Sequence, residues 1–170
     1  MPSKINKTPD FEAMGKAIIK QLPHNVSQQA LSHFKGSFRK QGFTDRSFVA
    51  WPKRKDDLGH KILMNTNSLM NDLKVRLATI NNIIIGTDLP HADAHNNGAK
   101  YSIPITAKMR KFFWAMYIET DKEKWKWMAL SKKKRMAIRI PKRQFIGNSA
   151  ELNKNIDTKI IETIITTFNK

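Results

Sequence analysis

The pattern of hydrophobic and polar positions predicts a mixture of helices and strands. Apolar residues recur at helical spacing before Pro23, again from about Asn25 to Gln41, and near the end of the chain from Ile156 to Phe168. Alternation of apolar and polar residues predicts strands at 74–80, 83–87, 100–106 and 135–140. We therefore expect an α+β fold in which two N-terminal helices and a C-terminal helix pack on a small, mostly antiparallel sheet.

The last predicted strand ends at an unusual junction. Pro141 has no N–H to donate to a strand ladder, so it predicts a strand end or edge. The basic pair Lys142 and Arg143 follows directly. We expect the Arg143 side chain to emerge at the sheet edge, where its guanidinium can bind a carboxylate on a neighbouring subunit.

The junction then leads into the C-terminal helix. Phe145 is an apolar anchor that we expect in the core, and Gly147 can adopt backbone conformations closed to other residues. Asn148 or Ser149 is a suitable N-cap for the helix that follows.

Positive charge is the strongest compositional feature. The chain has 170 residues, 40% of them hydrophobic, which is enough for one folded domain. Lys and Arg number 31 against 14 Asp and Glu, a net charge of +17. From 108 to 143 there are thirteen basic and three acidic residues, a net charge of +10. This excess predicts an anionic partner, whether nucleic acid, lipid or an acidic protein surface.

Other sequence features exclude several classes of protein. The chain has no cysteine, which excludes disulfide scaffolds and thiolate zinc sites. It shows no apolar run of membrane-spanning length and no signal-peptide core, so we expect no membrane partner and a cytoplasmic place of synthesis and assembly.

Two groups of residues raise the question of metal or enzyme chemistry. His91, Asp93 and His95 resemble metal ligands, but on the short helix predicted here Asp93 points away from the histidines. The acid groups Asp56-Asp57 and Glu119/Asp121/Glu123 lie in charged stretches, where pKa tuning is difficult. We expect neither a metal or cofactor nor enzymatic activity.

A basic segment rich in aromatic residues spans 108–129. It could lie on a membrane surface, stack on single-stranded nucleic acid, or pack in the core or against other subunits. The break at Thr120-Asp121 argues against one continuous helix lying on a membrane. Packing in the core or between subunits is the preferred interpretation, and the expected subunit or partner contacts are Trp114, Tyr117, Trp125, Trp127, Lys142 and Arg143.

Five short motifs follow one another along the chain. They are Trp51-Pro52, the segment 61–69 with Leu63, Thr66 and Leu69, the hairpin end Ile85-Gly86-Thr87, the segment from Ala92 to Gly98 with His95, and the segment from Ile140 through Pro141, Arg143 and Phe145 to Gly147. Their order resembles the phage virion morphogenesis family, also described as tail completion proteins of contractile-tailed, Mu-like phages and prophages. The likeness covers roughly residues 11–168.

The chain departs from the family pattern at several places. Asn67 stands where the family usually has glycine after threonine, and Lys142 stands where it often has alanine. The aromatic segment 109–128 looks like an enlargement between the last two motifs. We therefore expect a single domain over 1–170 with a basic aromatic insertion at about 108–134.

The resemblance implies a structural role in phage assembly. Such a protein acts at the head-proximal end of the tail, completes the tail tube and makes it competent to join the filled head. The implied partners are copies of the chain in a ring, the tail tube, and neck or connector proteins. The implied location is the virion, after assembly in the host bacterial cytoplasm. The alternative is a basic nucleic-acid-binding module. Non-specific contact with DNA is a further partner interaction that the positive charge allows.

Overall fold

The fold is a mixture of helices and short antiparallel strands. The structure, a computed structural model, describes residues 10–54 and 59–169. In chain order the elements are α1 (Phe11–Lys40), β1 (Gly42–Thr44), β2 (Phe48–Ala50), α2 (Ser68–Asp72), β3 (Lys74–Ala78), β4 (Ile83–Gly86), α3 (Ala92–Asn97), β5 (Ala99–Pro104), α4 (Ala107–Thr120), α5 (Glu123–Leu130), β6 (Arg135–Ile140) and α6 (Ala150–Phe168). The predicted α+β class is confirmed.

The strands form separate two-stranded antiparallel sheets rather than the single sheet we expected. β1 pairs with β2, β3 with β4, and β5 with β6. The predicted strands at 74–80 and 83–87 do form a hairpin, shortened by its turn. The strands predicted at 100–106 and 135–140 pair with each other, from Ala99 opposite Ile140 to Pro104 opposite Arg135. Each pair is therefore complete without joining a larger sheet.

One continuous helix replaces the two predicted N-terminal helices. α1 passes through Pro23, which lies buried inside it. A proline inside a helix costs about 3 kcal/mol, and α6 offsets this cost by packing along α1 on both sides of Pro23. Phe11 contacts Phe168 before the proline, with ring centroids 6.3 Å apart. The Asn25 amide donates a hydrogen bond to the Thr163 hydroxyl (3.1 Å) after it.

The described residues divide into two compact units. Of these residues, the first unit comprises 10–54, 59–97 and 142–169, and the second comprises 98–141. The insertion predicted at about 108–134 lies inside the second unit. Each unit has its own packing and is described separately below.

The first unit is built around the C-terminal half of α1. Its core contains buried side chains from α1, β1, α2, α3, α6 and the loops between them: Ala30, Phe34, Phe38, Phe43, Trp51, Leu69, Leu73, Ala92, Phe145 and Leu152. α6 begins where predicted, because Ser149 caps it by accepting a hydrogen bond from the Leu152 N–H (3.0 Å). The Ser149 hydroxyl also donates to the Thr44 carbonyl (2.8 Å), which ties the start of α6 to β1.

The predicted apolar stripe of α6 is only partly covered. Ile156 and Ile160 are half-buried, and Ile156 packs against the core. Four members of the stripe are exposed, namely Ile161, Ile164, Ile165 and Phe168. α6 therefore has an uncovered apolar face along its second half.

The second unit consists of two helices and a two-stranded sheet. The basic segment predicted as helical forms α4 and α5, separated by a turn in which Asp121 takes a left-handed conformation (φ 51°). The helices pack through the stacked rings of Phe113 and Trp125, whose centroids are 6.0 Å apart. The Arg110 guanidinium donates to the carbonyls of Ala129 and Lys133 (2.7 and 3.2 Å), which fixes the end of α5 to α4. None of the described helices is both long and apolar enough to cross a membrane.

Candidate functional site

The loop at 142–149 is the place where distant motif residues of the first unit meet. The backbone N–H of Arg143 donates to the carbonyl of His95 (2.8 Å). The side-chain oxygen of Asn96 accepts hydrogen bonds from the backbone N–H groups of Phe145 (2.9 Å) and Ile146 (3.1 Å). Because these donors have no strand partner, α3 supplies the acceptors that the loop needs. The parts of these two motifs that lie in the first unit, 92–97 and 142–147, are thus joined directly.

Trp51 connects a third motif to the same loop. Its indole N–H donates to the Gln144 carbonyl (2.7 Å), and its ring is buried. Trp51 meets Phe38 edge to face, with centroids 5.6 Å apart, and Phe38 in turn contacts Phe145 at 5.1 Å. The Phe145 side chain is 1% exposed, as expected for the anchor of this turn.

Arg143 does not emerge at a sheet edge, so our expectation of an exposed side chain is wrong. The residue is only 9% exposed, and its Nε and Nη2 atoms donate to the Pro52 carbonyl at 3.3 and 3.2 Å. The loop turns inward after Pro141 because its N–H groups bind α3. Burial lowers the pKa of Arg143, and the positive charge of Arg54 lowers it further. Among the described residues Arg143 has no carboxylate partner.

Lys142 is the member of the basic pair that faces solvent. It lines a cleft of about 450 Å³ together with Val49, Trp51, Pro52 and Gln144. The cleft lies between the β1–β2 hairpin and the loop, and its apolar walls are accompanied by one cation, Lys142, and one carboxylate, Asp45. This hairpin was not among the predicted elements, although Phe43 and Phe48 flank a polar turn in the way that short hairpins require.

Three motif positions need unusual backbone conformations. Gly98 has φ 77° and Gly147 has φ 150°, both rarely adopted by residues with a side chain. A Cβ on Gly147 would also lie 2.6 Å from the Gln144 amide nitrogen. Asn67, at the position where the resembled family usually has glycine, has φ 55°. Asparagine is one of the few other residues that tolerate this left-handed conformation.

The remaining motif residues of the 61–69 segment support the core. Leu69 is buried in it, and Leu63 packs against it from a left-handed conformation (φ 59°). The exposed Thr66 hydroxyl donates to the Ser68 hydroxyl (2.9 Å) at the start of α2. These residues shape the first unit and carry no group poised for chemistry.

The His91–Asp93–His95 segment forms the short helix α3, as predicted. The rings of His91 and His95 lie 5.9 Å apart, whereas the Asp93 carboxylate accepts a hydrogen bond from Asn97 (2.6 Å). In the part of the chain that the structure describes, no three His, Asp or Glu side chains are grouped so that they could hold a metal ion. The acid pair Asp56-Asp57 lies outside the described residues, and Glu119, Asp121 and Glu123 are exposed.

The four predicted contact aromatics of the second unit differ in their surroundings. Trp114 and Trp127 are exposed, whereas Tyr117 and Trp125 are half-buried. Trp125 packs against Phe112 and Phe113, with centroids about 6 Å away. Tyr117 contacts Trp114 at 6.0 Å and has the Lys126 ammonium 5.5 Å from its ring. Trp125 is therefore part of the packing between α4 and α5, and Trp114 and Trp127 are available for a partner.

Two partly buried histidines predict that the stability of the first unit depends on pH. Burial lowers the pKa of His33 and His95, and the neighbouring His91 and Arg143 lower that of His95 further, although Glu151 opposes the effect at His33. The unfolded chain then binds protons near pH 6.5 more readily than the native protein. We expect the free energy of unfolding in urea to be fully present above that pH and to fall as the pH is lowered below it.

The double variant His33→Gln/His95→Gln should flatten this pH dependence. A wild-type free energy of unfolding that is constant across the same range would contradict the prediction.

Comparison with known proteins gave no match to a family model, a curated protein or a solved structure. The class that the structure itself defines is a basic α+β protein of two compact units, in which three of the five motifs meet at one loop of the first unit.

Proposed function

We propose that the chain is a structural protein of phage assembly that acts at the head-proximal end of the tail. It would complete the tail tube and prepare it to join the filled head, as the resemblance to virion morphogenesis proteins implies. One observation carries the proposal: three of the five motifs that define the resemblance, those at Trp51, at His95 and at Phe145, are joined by direct hydrogen bonds in the first unit. If these motifs belong to one family fold, they are expected to contact one another although they are far apart in the sequence.

The conformation of Asn67 gives further support. The main departure from the family pattern places asparagine where glycine is usual, and this residue has φ 55°. The departure therefore preserves the backbone conformation that favours glycine.

The polar groups at the loop favour a structural role over an enzymatic one. The Arg143 and Trp51 side chains donate to backbone carbonyls of Pro52 and Gln144, and the Asn96 side-chain oxygen accepts from backbone N–H groups of the loop. A catalytic acid, base or nucleophile would instead face a cavity with its reacting atom free.

We further propose that copies of the chain assemble into a ring through α6. Its exposed apolar residues Ile161, Ile164, Ile165 and Phe168 recur at helical spacing, so they lie along one face of the helix. In a ring this face would pack on a different surface of the next copy, which would remove its side chains from water. The tail tube and the neck or connector proteins would then contact other surfaces, including Lys142 and the cleft beside it. The assembled protein would be part of the virion.

A paired test in solution and in the phage examines the proposal. The wild-type chain should show the mass of a ring by light scattering, and the variant Ile161→Ser/Ile165→Ser should be monomeric with an unchanged circular dichroism spectrum. In a phage that lacks the gene, the wild-type gene should restore complete particles. The variant should leave filled heads and tails that do not join.

Asp157→Ser, an exposed polar change on the same helix, serves as the matched control and should behave as wild type. A gene deletion that leaves the yield of infectious particles unchanged would contradict the assembly role. A wild-type protein that is monomeric at all concentrations would contradict the ring contact.

A further inference from the structure

The second unit exposes large apolar side chains on both of its helices. On α4 these are Phe112 (53% exposed), Trp114 (38%) and Ile118 (81%), and on α5 Trp127 (67%) and Leu130. The two helices are held to each other by Arg110 and by the stacked Phe113 and Trp125. Trp114 and Trp127 are not part of this contact between the helices, whereas Phe112 also packs against Phe113 and Trp125.

Positive charge surrounds these rings. The second unit, 98–141, contains twelve basic and three acidic residues, a net charge of +9. Seven of its lysines are exposed and have no ion-pair partner among the described residues: Lys100, Lys108, Lys111, Lys122, Lys132, Lys133 and Lys134. Two of its arginines are already occupied, because Arg110 donates to backbone carbonyls and Arg135 donates to Ser102. The free charge is thus mainly lysine, which binds phosphate as a point charge.

This charge decides between the possible partners. A second copy of the unit would bring two surfaces of +9 together, which costs free energy unless anions lie between them. A membrane-lying helix separates a polar face from an apolar one. On α4, by contrast, Lys111 and Ile118 share a face, being seven residues apart. The partner that fits mixed lysines and exposed rings is a flexible polyanion with stacking surfaces of its own.

We propose that the exposed surface of α4, α5 and the 131–134 turn binds single-stranded nucleic acid without sequence preference. The lysines contact phosphates, and the exposed rings of Trp127 and Trp114 stack on unpaired bases. A duplex hides its base faces, so it would use the lysines but leave the rings in water. This binding goes beyond the proposed assembly role and does not depend on it.

Fluorescence anisotropy with the full chain and a labelled oligothymidine of about 20 nucleotides tests the proposal. The logarithm of the binding constant should fall linearly with the logarithm of salt concentration, with a slope of about −0.7 for each phosphate neutralised. The fluorescence of the exposed tryptophans should be quenched on binding. A duplex of the same length should bind at least about fivefold more weakly at equal salt, because stacking is lost.

Two variants separate stacking from charge. Trp127→Ala should weaken binding by at least about fivefold while leaving the salt slope unchanged. Lys132→Gln/Lys133→Gln/Lys134→Gln should reduce the slope. The matched controls lie in the first unit and should bind as wild type: Phe11→Ala for an exposed ring and Lys20→Gln/Lys40→Gln/Lys154→Gln for an equal loss of charge. Thermal melting verifies that each variant is folded.

Several outcomes would overturn the proposal. Equal affinity for single strands and duplex, or unchanged binding by a folded Trp127→Ala, would exclude base stacking. Equal losses of affinity in the two triple-lysine variants would show that binding depends on the net charge of the chain and not on this surface. Binding to vesicles of anionic phosphatidylglycerol without binding to the oligonucleotide would assign the surface to a membrane instead.

Discussion

Phe145→Ala is expected to lower the free energy of unfolding by about 3–5 kcal/mol, the usual cost of removing a buried phenylalanine ring. The side chain is 1% exposed and contacts Phe38, itself completely buried, at a centroid distance of 5.1 Å. The rigid loop around it, held by Asn96 and Trp51, limits how far the structure can close over the cavity. The lost free energy of unfolding therefore includes the burial of the ring away from water and the cost of the cavity that remains.

Urea unfolding followed by circular dichroism measures this loss. Phe11→Ala is the matched control, because Phe11 lies in the same unit and is 61% exposed. We expect the control to cost less than about 1 kcal/mol. Losses of equal size in the two variants would show that Phe145 is not an anchor of the core.

Local chemistry was sufficient to predict some parts of the fold. The β3–β4 hairpin follows from strand alternation on either side of an Asn-Asn turn, and the turn is closed by a hydrogen bond from the Thr79 N–H to the Asn82 carbonyl (2.8 Å). The start of α6 at Ser149 follows from its capping chemistry. In both cases the residues that decide the structure are neighbours in sequence.

Other parts depended on contacts between residues far apart in the chain. Pro23 predicts a helix end locally, but α6, more than 120 residues later, makes the continuous helix favourable. The direction of the Arg143 side chain depends on the Pro52 carbonyl and on the His95 carbonyl that turns the loop inward. Neither contact leaves a periodic signal in the sequence.

The burial of Arg143 changes what its substitution can reveal about assembly. An exposed interface arginine could be replaced with little effect on the fold, whereas Arg143 is buried and donates to the Pro52 carbonyl. Loss of assembly after Arg143→Ala would thus have two explanations, a damaged loop and a missing contact. Lys142, which is exposed beside the same cleft, is the better residue with which to test partner binding.

Asn96 is the residue whose importance the sequence analysis did not recognise. In this segment only the neighbouring histidines and Asp93 suggested a function, as metal ligands. The Asn96 side-chain oxygen instead joins α3 to the loop, because it accepts hydrogen bonds from the N–H groups of Phe145 and Ile146. The available signal was the general ability of asparagine to accept hydrogen bonds from nearby backbone. That property does not predict which N–H groups the asparagine binds when the acceptor and the donors are about 50 residues apart.

Asn96→Ala is therefore expected to destabilise the first unit by about 2–4 kcal/mol. The change leaves two backbone N–H groups without an acceptor, and each buried orphan costs about 1–3 kcal/mol. Because Ile146 is half-buried, water can partly replace the lost acceptor there. The total loss of stability should therefore be smaller than the full cost of two buried N–H groups without an acceptor. Asn96→Asp keeps an oxygen acceptor in place, and its negative charge strengthens both hydrogen bonds. Its stability at neutral pH should therefore be close to that of wild type.

The comparison of these two variants in urea at neutral pH measures the role of the Asn96 oxygen itself. Asn71→Ala is the control, because Asn71 is an exposed asparagine on another helix of the same unit, α2. We expect it to stay within about 0.5 kcal/mol of wild type. Equal losses in Asn96→Ala and Asn96→Asp would mean that the shape or polarity of the amide matters rather than its acceptor. The loop would then be held to α3 chiefly by the Arg143–His95 backbone hydrogen bond and by the packing of Phe145.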